Sequence, residues 1–276
     1  LMVTTLVASR VLRRTTALSR TLSRAGSVTA RDLTAARHAS YWMVVLSGFF
    51  EPVLYLFSIG VGVGALVGEF RLADGGVISY AAFVAPAMLA ASAMNAALSE
   101  TGFNFFARLK WVKLYDAMVA TPLRPFEVAL GELLWAMARG LIYSVVFLGI
   151  MIALDLTTVW RAVPALAASL LVGLAFGGLG MAISTFMRSW QDFDYLSVAT
   201  FALFLFSGTF TPADSYPEAL RVIVALTPLY HGVELVRGFT TGMLSLAMVG
   251  HALYLAALAA VALAVAGRRM NRLLCR

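Results

Sequence analysis

The chain has 276 residues, 61% hydrophobic and only 13% charged, with a formal net charge of +7. Soluble domains carry about 25% charged residues, so too few polar side chains remain here to cover a water-facing surface, and the bilayer is the solvent that the apolar excess requires. The basic balance is almost all arginine, with Lys110 and Lys113 the only lysines; in so apolar a chain it points to the positive-inside rule and anionic lipid rather than to nucleic acid.

Residues 1–40 read as a basic tail. They hold Arg10, Arg13, Arg14, Arg20, Arg24, Arg31 and Arg37 with a single acid, Asp32. The composition suits an organellar transit peptide as well, but no apolar signal region precedes the first hydrophobic run, which favours a cytoplasmic tail. Within it, 28–40 is weakly amphipathic. Val28, Leu33 and Ala36 are expected on the lipid side and Arg31, Asp32 and Arg37 on the water side of an interfacial helix.

Six apolar runs follow, at about 41–67, 80–98, 126–154, 162–186, 195–210 and 244–266. Some 20 helical residues cross a hydrocarbon core, so the fifth is short. The expected fold is an all-α integral membrane protein with six transmembrane helices. Between the second and third runs, Phe105, Leu109, Val112, Tyr115 and Met118 recur every three or four residues with Arg108, Lys110 and Lys113 among them. That spacing predicts an amphipathic helix lying on the membrane face, ended by Pro122 and Pro125. Between the fifth and sixth runs, Pro212, Pro217, Pro228, Gly238 and Gly242 break an otherwise apolar segment. Irregular backbone at membrane depth must be covered by protein, so a re-entrant segment is expected there; a plain surface loop is the rival.

Cation counting orients the chain. Sixteen Lys and Arg fall before the first run, between the second and third, between the fourth and fifth and after the sixth, against Arg71, Arg161, Arg221 and Arg237 on the other side. Both termini are therefore expected in the cytoplasm.

Catalytic motifs are absent. A phosphate-binding loop needs Gly before its Lys, whereas Leu109 precedes Lys110 and Val112 precedes Lys113. Gly60, Gly62, Gly64 and Gly68 close an apolar span without a preceding strand, which suits helix packing better than dinucleotide binding; Gly173, Gly177, Gly178 and Gly180 read the same way. Cys275 is the only cysteine, so neither a disulfide nor a cysteine metal cluster is expected.

Ionisable groups inside spans are costly unless paired or wet. Glu51, Glu132 and Arg139 are the intramembrane polar candidates. Glu132 and Arg139 are seven apart, hence on one helix face, and serve either a polar pathway or a structural pair. Glu100 and Glu127 can reach the interface. His231, Glu234 and Arg237 beside Tyr230 form a second candidate cluster, read as hydrogen bonding that ties down the re-entrant segment, since two ligands do not make a metal site.

Several stretches, in order, resemble one family: 50–64 (FEPVLYLFSIGVGVG), 80–101 (YAAFVAPAMLAASAMNAALSET), 115–140 (YDAMVATPLRPFEVALGELLWAMARG), 206–217 (FSGTFTPADSYP) and 226–242 (LTPLYHGVELVRGFTTG). Together they resemble the transmembrane subunit of ABC-2 type exporters, in the subgroup with rhizobial lipo-oligosaccharide export permeases and daunorubicin-type drug exporters. The resemblance implies a transmembrane domain over 41–276, behind the tail and interfacial helix of 1–40. It implies a half-transporter of the bacterial inner membrane that pairs with a second permease copy, identical or paralogous, and with two ABC ATPase subunits. ATP and Mg would then be bound by those partners and no cofactor by this chain. It also makes the 108–120 stretch, with Arg108, Lys110, Lys113, Tyr115 and Asp116, the ATPase-coupling helix. An ATP-independent secondary transporter or channel is the competing reading, and a membrane scaffold a third. The Arg-rich end after 266 receives no role.

Overall fold

The computed structural model describes residues 19–36, 50, 54, 56–58, 62, 69–71, 77–212 and 215–275. The first apolar run lies largely outside the described residues, and Glu51 wholly so. Helix α1 covers 19–36. Two short strands, β1 (Glu69–Arg71) and β2 (Val77–Ser79), pair antiparallel with Phe70 opposite Ile78. This hairpin is a local addition to an otherwise helical chain, which keeps the all-α class expected. It leads straight into α2 (Tyr80–Leu98), whose first turn is capped by Ser79 Oγ accepting from the Ala82 N–H at 3.2 Å.

The second span is longer than its apolar run. Beyond Leu98 the helix continues through π-helical turns at Ser99–Asn104 and Ala107–Trp111, giving one 32-residue stretch, Tyr80–Trp111. At 1.5 Å per residue it extends about 48 Å, well past a ~30 Å hydrocarbon core, so its last turns emerge from the bilayer. Lys113 then adopts φ 50°, the left-handed region, which breaks the helix. The lateral helix α3 is consequently only Leu114–Val119. Arg108 and Lys110, expected on that lateral helix, instead end the long one.

Helix α4 (Pro125–Ala153) opens with proline at its first turn, where the missing N–H costs nothing, and Glu127 accepts from the Arg124 N–H at 2.9 Å. Then come α5 (Val159–Ser184), α6 (Asp192–Leu205), α7 (Glu218–Leu226), α8 (Pro228–Thr241) and α9 (Ala247–Leu274). Among the described residues, four helices are long and apolar enough to cross a bilayer: Tyr80–Trp111, α4, α5 and α9. The fifth run, expected at 195–210 and short for a span, forms the 14-residue helix α6, a rise of about 21 Å.

Helix α5 is the hub, packing against α2, α4, α8 and α9. Its glycines permit that. A Cβ on Gly177 would come within 2.7 Å of Leu133 Cδ1 on α4, and one on Gly180 within 2.5 Å of Thr101 Oγ1 at the end of α2. The main apolar core joins Phe83, Met88, Phe147, Phe176, Leu229 and Val233. A second core, with Phe105, Tyr115, Leu133, Met181 and Met270, fills the end where α4 begins and α9 finishes.

Helices α7 and α8 meet at an 84° bend. Thr227 is extended and Pro228 follows, so the backbone hydrogen-bond series is interrupted there. Gly232, one turn into α8, faces Val172 in the middle of α5, with a Cβ only 2.7 Å from Val172 Cγ2. By its end α8 has returned to the start of α5, where Thr157 Oγ1 donates to the Thr240 carbonyl at 3.0 Å.

Candidate functional site

Four segments converge where α4 begins: α1, the emergent turns of α2, α3 and α4. Helix α1 lies close on α4 because Gly131 has no side chain; a Cβ there would sit 2.5 Å from Val28 Cβ and 2.7 Å from the Ala25 carbonyl oxygen. Thr29 Oγ1 donates to the Gly131 carbonyl at 3.0 Å, and Arg24 pairs with Glu127 at 3.5 Å. This contact turns Val28 and Asp32 inward, both nearly fully buried, and leaves Leu33 exposed. The expectation that Asp32 faces water is corrected, and Val28, expected on the lipid side, packs against α4 instead, whereas the exposed Leu33 stays on the outer face of α1.

The joint holds a network of three buried carboxylates and three half-buried guanidinium groups. Arg108 is its centre. It bonds Glu132 through Nη1, Glu100 Oε1 through Nη2 at 3.2 Å, and approaches Asp32 Oδ1 at 3.6 Å. Arg31 bonds Asp32 and reaches Glu132 Oε1 at 3.3 Å. Arg139 bonds Glu100 and donates to Tyr143 Oη at 2.9 Å, while Asn104 Nδ2 donates to Glu100 Oε2 at 2.9 Å. Each carboxylate side chain is 4% exposed or less. Full charge compensation is what lets such a cluster sit there, because one unpaired ion would cost several kcal/mol. Glu132 and Arg139 thus each engage an ion from another segment. Sequence reading did not single out Arg31, Asp32, Asn104 and Tyr143 as site residues.

The 108–120 residues divide into two sets. Arg108 faces the network, and Tyr115 is buried with its ring 5.0 Å from that of Phe105. Burial pushes the Tyr115 hydroxyl well above its ordinary pKa. Lys110, Trp111, Lys113 and Asp116 are exposed. The corner is tied back to α1 by Arg31 Nη1, which lies 3.7 Å from Met118 Sδ. A charged, aromatic outer face is therefore backed directly by a buried ionic joint.

The second cluster lies at the opposite end. Arg237 on α8 bonds Glu234 at 2.6 Å, donates from Nη2 to the Gly208 carbonyl at 2.8 Å and from Nε to the Phe83 carbonyl at 3.3 Å, and stacks 4.0 Å over the Phe83 ring. Gly208 has φ 72°, a conformation that suits glycine. One guanidinium so fastens α8 to α2 and to the loop after α6. His231 does not join it: its Nδ1 lies 2.7 Å from Nδ1 of His251 on α9, and its ring stacks on Tyr254 at 3.9 Å. A hydrogen bond between two Nδ1 atoms needs one as donor and one as acceptor, so one of the two rings is neutral in this arrangement. Tyr254 Oη donates to the Leu226 carbonyl at 2.9 Å, holding the bend between α7 and α8 against α9. Among the described residues no group of three or more His, Cys, Asp or Glu could hold a metal ion.

Comparison with known proteins fits this architecture. The chain is 35% identical over 195 residues to Nodulation protein J of Rhizobium leguminosarum bv. viciae, covering 70% of this chain and 73% of that protein. It is 31% identical over 203 residues to Nodulation protein J of Rhizobium meliloti (strain 1021), covering 72% and 74%. The Bradyrhizobium diazoefficiens protein of the same name is 30% identical over 198 residues, covering 70% and 72%. The profile of the ABC-2 type transporter family matches residues 26–240, from α1 to the end of α8. With most of its described length in that match and its membrane helices in place, the chain belongs to the ABC-2 type transporter family.

Proposed function

We propose that this chain is the permease subunit of an ATP-driven exporter of the inner membrane, moving an amphiphile outward with energy from separate ABC ATPase subunits. The observation that carries the reading is the exposed corner of Lys110, Trp111, Lys113 and Asp116 standing directly on the Arg108 network. A partner pressing there acts on α1, α2 and α4 at once, since Arg108, Arg31 and Arg139 bond carboxylates across all three. Two ATPase copies would bind ATP and Mg, and a second permease copy, identical or paralogous, would complete the pathway. An apolar pathway with few polar groups suits a lipid, glycolipid or hydrophobic drug.

In this reading the charge network marks the cytoplasmic side, with both termini, and α7–α8 form a re-entrant segment on the outer side. The re-entrant assignment rests on α8 starting at mid-depth beside Val172 and finishing beside Thr157. Orientation is testable with the single cysteine, Cys275, which is exposed. A membrane-impermeant thiol reagent should label it in inside-out vesicles and not in intact cells; the reverse pattern refutes the orientation.

The decisive experiment is purification from the native membrane followed by reconstitution. An ABC ATPase should accompany the chain, and transport should require ATP. Lys113→Glu combined with Asp116→Lys should leave ATP hydrolysis running while transport stops. Transport by the isolated chain without ATP would replace this reading with the secondary-transporter one.

A further inference from the structure

The arginines at the end of α9 have no part in the network above. Arg268 and Arg272 are exposed, and no ion pair among the described residues uses either of them or Arg124. Beside them a cavity of about 590 Å³ opens between the start of α4 and the end of α9, within the ~300–1,000 Å³ of ordinary ligand pockets. Arg124, Arg268 and Asn271 stand on its rim, while Leu123, Phe126 and Ala264 form its apolar wall. The two helices come close at its base, where a Cβ on Gly267 would lie 2.9 Å from Phe126 Cδ2.

The depth of this cleft follows from the chain itself. The apolar run of α9 ends at Ala266 and cations begin at Arg268; the apolar run of α4 begins at Phe126, just after Arg124. Both helices therefore cross from hydrocarbon to headgroup level at the cleft, with its charged rim at the phosphates and its apolar wall among acyl chains. We infer that the cleft is a binding site for an anionic phospholipid of the surrounding leaflet. Its phosphate sits between Arg124 and Arg268, and one acyl chain lies along Phe126 and Ala264. Charge complementarity selects an anionic headgroup, and the apolar wall selects a lipid over a soluble anion.

The test uses the full chain in nanodiscs of phosphatidylcholine with a minority of phosphatidylglycerol, released gently into native mass spectrometry. Wild type should retain phosphatidylglycerol above its share of the bilayer. Arg124→Gln and Arg268→Gln should each lower that retention about fivefold, the factor for one cation near an anionic surface. Arg272→Gln removes the same charge outside the cleft and should stay within about twofold of wild type. Ala264→Trp fills the wall with every arginine intact and should also abolish the excess. Equal losses in all three arginine variants would reduce the effect to general surface attraction and overturn the site. So would retention of phosphatidylglycerol no better than phosphatidylcholine, or cleft variants that keep the wild-type excess.

Discussion

Removing Arg108 tests whether the ionic joint is a balanced unit. Its guanidinium neutralises a site crowded by Glu100, Glu132 and Asp32, whose side chains are 2%, 2% and 4% exposed. Arg108→Gln leaves three carboxylates facing Arg31 and Arg139 alone, so one buried negative charge is uncompensated. Breaking a buried pair from one side costs about 3–5 kcal/mol, which at roughly 2–4 °C per kcal/mol lowers the melting temperature by on the order of 10 °C. Removing the anion as well should restore much of the loss, since a buried pair replaced by apolar groups of similar size is often neutral. The assay is a double-mutant cycle on thermal unfolding in one detergent, with Arg108→Met, Glu132→Leu and the pair. A double variant at or above the less damaged single variant is the expected result. If Arg108→Gln shifts stability by under about 1 kcal/mol, the cluster behaves as a solvated surface network, and the argument from burial fails.

Gly131→Ala should lift α1 from α4, because the new methyl would overlap Val28 Cβ at 2.5 Å; amide exchange across 19–36 should accelerate, and unchanged protection would place the helix contact elsewhere. Arg237→Met strips the side-chain donor from the Gly208 carbonyl and the guanidinium from the Phe83 carbonyl and ring, at about 1–3 kcal/mol for a buried acceptor left alone; a melting temperature equal to wild type would contradict the anchoring role. Asp192 Oδ2 accepts from the N–H groups of Arg188 at 2.7 Å and Ser189 at 3.1 Å, and those backbone donors hold its pKa below the usual carboxylate value. A depressed folded pKa contributes stability above the unfolded value and loses it as pH falls through the folded one. Amide protection factors at 188–192, taken relative to intrinsic exchange at each pH, should therefore fall on acidification in wild type and lose that acid dependence in Asp192→Asn.

The apolar runs announced most of the helices because hydropathy over 20 residues is a property of local sequence. The errors fall where partners distant in sequence change the local reading. Ser99–Trp111 looks like a polar connection, yet it stays helical because its polar groups are satisfied in place: Thr101 Oγ1 donates to the Ala97 carbonyl, and Glu100 and Arg108 enter the network. Asp32 looks solvent-facing among arginines, and its burial depends on Gly131, 99 positions later, which admits α1. His251 sits in an unbroken apolar run, with nothing in its neighbourhood to foretell His231 at 2.7 Å. The β1–β2 hairpin was legible in principle, since Asp74, Gly75 and Gly76 are turn-forming residues between its strands. The spacing of Glu132 and Arg139 correctly put both on one helix, but spacing within a helix describes neighbours along one surface only. What each ion meets across the packing interface depends on the glycines that let other helices approach, and those contacts are made only when the chain has folded.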